Sequence, residues 1–279
     1  MLHSTPMTLA RASQRVLEWF DAMDREPEAP PRGPRSAAFK AVFVLVSGAV
    51  LLTCLNFIVL SGEFQGFVAS QFREAVAGLD EGPLRQTLLE WSPLYRHAAW
   101  SLGCVTFYFL VPAVLVRVVF RQPLRDYGIS PRGFVRHLPV YLALFVPVAL
   151  AVVAASYTRA FQSTYPFYHD PSGLVDLAVW EFFYGLQFFA LEFFFRGYLV
   201  HGMKERLGSM AVFAMVVPYC MIHFQKPMAE ALAAILAGTV LGVLSLRTRT
   251  IWGGVAIHCA VAVSMDIASL AQRGWTPVV

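Results

Sequence analysis

The sequence predicts an all-α fold: a polytopic membrane bundle of about seven transmembrane helices with a cytoplasmic N-terminus. Three observations carry that prediction. Of 279 residues, 57% are hydrophobic and only 14% are charged, where soluble domains carry nearer a quarter. The apolar residues gather into runs of about 20, the length that crosses about 30 Å of hydrocarbon. Lysine and arginine collect at alternate ends of these runs, which sets the orientation.

In chain order, residues 1–38 read as a cytoplasmic tail. Leu9, Val16, Leu17, Phe20 and Met23 fall at near-helical spacing with Arg11, Arg15, Asp21 and Asp24 between them, which suits an amphipathic helix on a membrane surface. Pro30, Pro31 and Pro34 make a linker after it. So polar a start lacks the pattern of a cleavable signal. Residues 39–279 form the membrane domain, with spans at 39–60, 98–120, 136–157, 173–203, 209–224, 229–246 and 250–271. The fourth is long and should tilt or protrude, and the fifth is short. With the N-terminus inside, the inner segments hold Arg32, Arg35 and Lys40, then Arg117, Arg121, Arg125, Arg132 and Arg136, then Lys204 and Arg206, then Arg247 and Arg249. The outer segments hold fewer: Arg73, Arg85 and Arg96, then Arg159, Lys226 and Arg273. Loop 61–97 is too long for a turn. Its stripe of Phe64, Phe67, Val68, Phe72, Val76 and Leu79 predicts an interfacial helix on the outer face. Gly238-x-x-x-Gly242 in the sixth span, and Gly253 and Gly254 at the start of the seventh, predict close helix contacts.

Composition also excludes some functions. The basic residues lie at span ends rather than in one patch, so no nucleic-acid partner is expected. Cys54, Cys104, Cys220 and Cys259 fall inside apolar runs without paired spacing and read as packing residues. No internal repeat relates the two halves, which argues against a small-solute transporter.

The stretch from Gly173 to Met203 organises the rest, above all Ala190-Leu191-Glu192-Phe193-Phe194-Phe195-Arg196-Gly197. Charges in such a setting are costly and mark function by default. Glu192 and Arg196 are four residues apart with the acid first, the favourable order for a helical ion pair. The other strongly polar residues inside the spans are Asn56, Glu181, Gln187, His223, His258 and Asp266. Glu192 lies sixteen residues before Gly208 and His223 fifteen after it. In an antiparallel hairpin both therefore reach nearly the same depth. His258, about eight residues into the seventh span, reaches the inner half of the membrane as well. Two imidazoles and a carboxylate at similar depth suit water activation: the acid as general base with one histidine beside it, the other histidine donating to an oxyanion. Glu192, His223 and His258 are also the set that would hold a metal, but their spacing requires none, and no cofactor is expected.

Here a family resemblance enters. Leu191-Glu192-Phe193-Phe194-Phe195-Arg196, Tyr219-x-x-x-His223 and His258-x-x-x-Ala262 resemble the E-E-x-x-x-R, F-x-x-x-H and H-x-x-x-N motifs of the CPBP family, the CAAX prenyl proteases and bacteriocin-processing enzymes. Phe195-Arg196-Gly197-Tyr198-Leu199 and the run from Arg247 to Trp252 are similar to family members too. The resemblance covers about residues 120–270. It implies a multi-pass intramembrane endopeptidase, set in membrane lipid and acting on a membrane-associated peptide or protein. Glu192 and His223 would activate water, His258 would stabilise the oxyanion, Arg196 would orient Glu192, and Tyr219 would support them. Two positions depart from the pattern. The glutamate usually assigned as base is Leu191, and the asparagine that assists the histidine is Ala262. The alternative is thus a catalytically impaired protein of the same fold, serving in binding, immunity or scaffolding.

Overall fold

Long apolar runs without ionised interruptions have one way to satisfy their backbone in lipid, and that is the helix. The computed structural model describes Gln14, Glu18, Asp21 and Asp24 and residues 36–169 and 171–275. Apart from those four residues, the expected tail helix at 8–24 and its proline linker lie outside the described residues. Among the described residues the secondary structure is helical, with no strand. Six helices are long and apolar enough to cross a membrane: α1 (Ala37–Val59), α4 (Leu94–Val118), α5 (Phe134–Ser156), α6 (Leu174–Leu207), α8 (Met228–Thr248) and α9 (Trp252–Gln272). Between α1 and α4 lie α2 (Gly62–Ala77) and α3 (Pro83–Glu90). Between α6 and α8 lies α7 (Met210–Met221).

Local chemistry starts several of these helices. Ser36 and Ser61 accept the Phe39 and Phe64 N–H groups at 3.2 Å each, capping α1 and α2. Asp176 takes the N–H groups of Ser172 and Gly173 at 2.6 and 2.7 Å in the first turn of α6, where a negative charge also suits the helix dipole. Asp24 accepts the N–H of Ser209 at 2.6 Å and its hydroxyl at 3.0 Å, in the same way at the start of α7.

The bundle is built round α6. From Ala190 to Met203 every residue of this helix is buried, the mark of a helix enclosed on all sides. Val44 of α1, Tyr108 of α4, Val212 and Met215 of α7, Val243 of α8 and Val255 of α9 share a core with its aromatic residues. Within it, Phe193–His201 forms a π-helical stretch, an arrangement often found at functional sites. Lys40 pairs with Glu205 at 2.8 Å and fastens the start of α1 to the end of α6. The expected spans agree closely with these helices, and the fourth is indeed long.

The loop at 61–97 holds two helices where one is expected. In α2 only Ala69 and Val76 are buried, while Phe67 and Phe72 of the stripe face outward. The short fifth helix is shorter still: α7 has 12 residues. That is about 18 Å of rise, well under a bilayer core. The glycine motif has its partner within the chain. A Cβ at Gly238 would stand 2.8 Å from the Tyr219 ring, and one at Gly242 would stand 2.8 Å from Val212, so the motif lets α8 lie directly against α7.

Gly242→Val, which must displace Val212 and Met215, is expected to destabilise the protein by about 1–3 kcal/mol through overpacking. Gly82→Val, with nothing within 4 Å of the new Cβ, should leave stability unchanged. Thermal unfolding in detergent checks both.

Candidate functional site

Residues of three helices meet at the middle of α6. Glu192 is the last α-helical residue before the π stretch, and one helical turn brings the Arg196 guanidinium back to it, Nη1 to Oε1, at 3.0 Å. Both side chains are fully buried. Nδ1 of His258, from α9, approaches the same Oε1 at 2.8 Å. Neither atom meets hydrogen-bond geometry there, so the attraction is chiefly that of charge and dipole in a medium of low dielectric. Gly254 makes the approach of α9 possible, because a Cβ there would overlap the Glu192 carboxylate.

The other ring nitrogen of His258 is also engaged. Its Nε2 lies 2.9 Å from the Tyr219 hydroxyl. With Nδ1 turned toward a carboxylate, Nε2 is the nitrogen that accepts. The Tyr219 ring also covers Arg196, whose Cζ is 4.1 Å from the ring centroid. Phe188 stacks on His258 at 5.3 Å with 12° between the planes, fixing the imidazole from its other side. His223 lies in the turn after α7. Its Nδ1 is 2.8 Å from the Tyr219 carbonyl oxygen, to which it donates, and its ring packs edge-on against that of Tyr219 at 4.9 Å. Among the described residues no hydrogen bond joins His223 to Glu192, and the two are linked through Tyr219 and His258. The hydroxyl that distinguishes Tyr219 from the phenylalanine of the motif is therefore the outer end of the chain Glu192–His258–Tyr219.

Beside these residues lies a cavity of about 1680 Å³. Tyr184, Gln187, Phe188 and Leu191 of α6 line it, a stripe at helical spacing. Tyr219, His223, His258 and Ala262 line it as well. Glu192 and Arg196 do not, since they sit behind the wall. Leu191 and Ala262, the two departures from the motif, thus face the open space, while the carboxylate reaches it only through His258. Among the described residues, no group of three or more His, Cys, Asp or Glu side chains converges so as to hold a metal ion.

At another part of the cavity wall, Lys226 meets Glu230 at 2.6 Å, and the Tyr165 hydroxyl donates to the Glu230 carboxylate at 2.9 and 3.0 Å. Burial, followed by the Glu230 charge, pushes the Tyr165 phenol far above its ordinary pKa, so it remains a neutral donor. Sequence reading gave this cluster no role. Asp266 accepts from Trp180 Nε1 at 2.8 Å and lies off the cavity, as does Glu181.

Residues 173–264, about a third of the chain, match the family model described as type II CAAX prenyl endopeptidase, Rce1-like. The chain finds no match among curated proteins or among solved structures. The matched segment contains Glu192, Arg196, Tyr219, His223 and His258 and bears out the resemblance read from the motifs. The protein is a multi-pass integral membrane protein whose core is similar to this endopeptidase family.

Removing one member of a buried ion pair strands the other. Arg196→Met is therefore expected to cost about 3–5 kcal/mol, whereas the double variant Glu192→Leu with Arg196→Met should recover most of that loss. Parallel thermal unfolding of both in detergent reads the difference.

Proposed function

We propose that the chain is an intramembrane endopeptidase that cuts a peptide bond in a membrane-associated substrate, with His258 facing the bond and Glu192 acting through it. The observation that carries this reading is the run of contacts from Glu192 to His258 to Tyr219 at the wall of the cavity. A buried carboxylate on Nδ1 holds an imidazole in one tautomer and steadies the imidazolium formed when Nε2 takes a proton, which is the logic of an acid–histidine pair. Arg196 pairs with that carboxylate and holds it in place. A water displacing the Tyr219 hydroxyl from Nε2 gives up its proton there as its oxygen attacks the carbonyl carbon. The freed hydroxyl is then a donor for the oxyanion. The imidazolium returns the proton to the leaving nitrogen, and an acid and an amine are released. His223, neutral and with Nδ1 spent on the Tyr219 carbonyl, keeps Nε2 free to hold the water.

These roles differ from the sequence expectation in two respects: the oxyanion passes from His258 to the Tyr219 hydroxyl, and the proton of the water goes elsewhere. Water activation passes from Glu192 to His258, because Glu192 has no exposed surface. The family match supports a substrate of the CAAX prenyl class. The cavity supports it too, since its lining is mostly apolar side chains drawn from α1, α4, α5, α6, α7, α8 and α9.

In lipid nanodiscs the wild type is expected to cleave an S-farnesylated peptide ending in a CAAX tetrapeptide, with or without chelator, as read by mass spectrometry. His258→Ala should lower the rate by about 10²–10⁴, the usual worth of a positioned general base, and Glu192→Gln should lower it too. An inert wild type beside an active Leu191→Glu variant would instead assign the cavity to binding without hydrolysis.

A further inference from the structure

Gln187 is the polar residue of the cavity that the proposed chemistry leaves unused. It lies one turn before Leu191 on the cavity-facing stripe of α6. The residue is 5% exposed, and its Oε1, turned away from the open space, has no hydrogen-bond partner; a half-turn of the amide about its last, two-fold torsion exchanges that oxygen with the nitrogen. Its neighbours along the stripe, Tyr184, Phe188 and Leu191, give that oxygen no donor. An amide oxygen buried without a partner destabilises the protein that carries it. In a wall otherwise so apolar, it is explained by a ligand that completes it.

The chemistry of the amide narrows the ligand. A glutamine side chain presents an acceptor and a donor next to each other. A peptide unit presents the complementary pair, whereas an isoprenoid chain matches neither group and a carboxylate only the donor. The next residue, Phe188, stacks on His258, and Gln187 and His258 line the same cavity, so a ligand on Gln187 shares the space the imidazole faces. We infer that Gln187 is a positioning residue that grips one backbone peptide group of the bound substrate and sets its register against His258. The inference rests on the proposed function for the class of ligand, but it concerns binding alone.

The test is a binding cycle with protein in nanodiscs and a fluorescein-labelled S-farnesyl CAAX peptide. Anisotropy is read at low temperature, and the peptide is verified intact by mass spectrometry. Each amide N–H of the peptide's last three residues is replaced in turn by an ester oxygen, which removes one donor and little else. One ester peptide is expected to bind the wild type about tenfold more weakly than its parent, yet to bind Gln187→Leu no differently from its parent. Gln187→Leu should itself bind the parent about tenfold more weakly while unfolding at the same or a higher temperature, since it removes an unsatisfied group. Gln187→Met, of similar length, repeats the measurement if the leucine variant folds poorly. Equal losses across the ester series in wild type and variant, unchanged binding by the variant, or no binding by the wild type would each overturn the inference. Tight peptide binding without cleavage would leave it standing and remove only the hydrolytic reading.

Discussion

A glutamate and an arginine, paired and wholly enclosed in the middle of an apolar helix, are the constraint to which the rest of the bundle answers. Neither could be buried alone at tolerable cost, and together they need dipoles and polarisable faces around them. The surrounding helices supply these one by one. Tyr219 lays its ring over the guanidinium, His258 turns a nitrogen toward the carboxylate, and Gly254 gives up its side chain so that α9 can come close enough. The phenylalanines at 193, 194 and 195 seal the pair from lipid. What begins as a problem of burying charge ends as the rule for where α7 and α9 must lie.

The same constraint governs what the cavity can do. Because the ion pair is sealed, its charge acts at the open wall only by proxy, through an imidazole held between a carboxylate and a hydroxyl. The leucine and alanine that replace the familiar polar residues at that wall make the proxy necessary. A carboxylate in the place of Leu191 would touch water directly, whereas one at the next position points into protein.

Much of this was legible beforehand. Hydrophobic run length and the alternation of arginines located the spans. The four-residue spacing of Glu192 and Arg196 named the ion pair, and counting residues across the turn at Gly208 brought α7 to it, where Tyr219 rather than His223 makes the contact. What could not be read was rotation. Adjacent helical positions differ by about 100°, and nothing in a string of phenylalanines says whether Leu191 or Glu192 faces the opening. Nor did the sequence reveal that Tyr219 would stand between the two histidines, because that depends on how closely Gly238 lets α8 press on α7. The π-helical stretch after Glu192 and the separate helix α3 lacked a periodic signature of their own.

The shortness of α7 has a consequence for the surroundings of the protein as well as for its interior. Met210, Phe213, Val217 and Met221 are exposed along one side of it, so this stripe meets lipid for only about 18 Å of rise. A bilayer touching a hydrophobic belt that narrow must pinch inward to cover it. His223 follows two residues beyond the helix, where such a dimple brings the aqueous boundary nearest. A mismatch of this kind shortens the path from solvent to the end of α7 that carries His223.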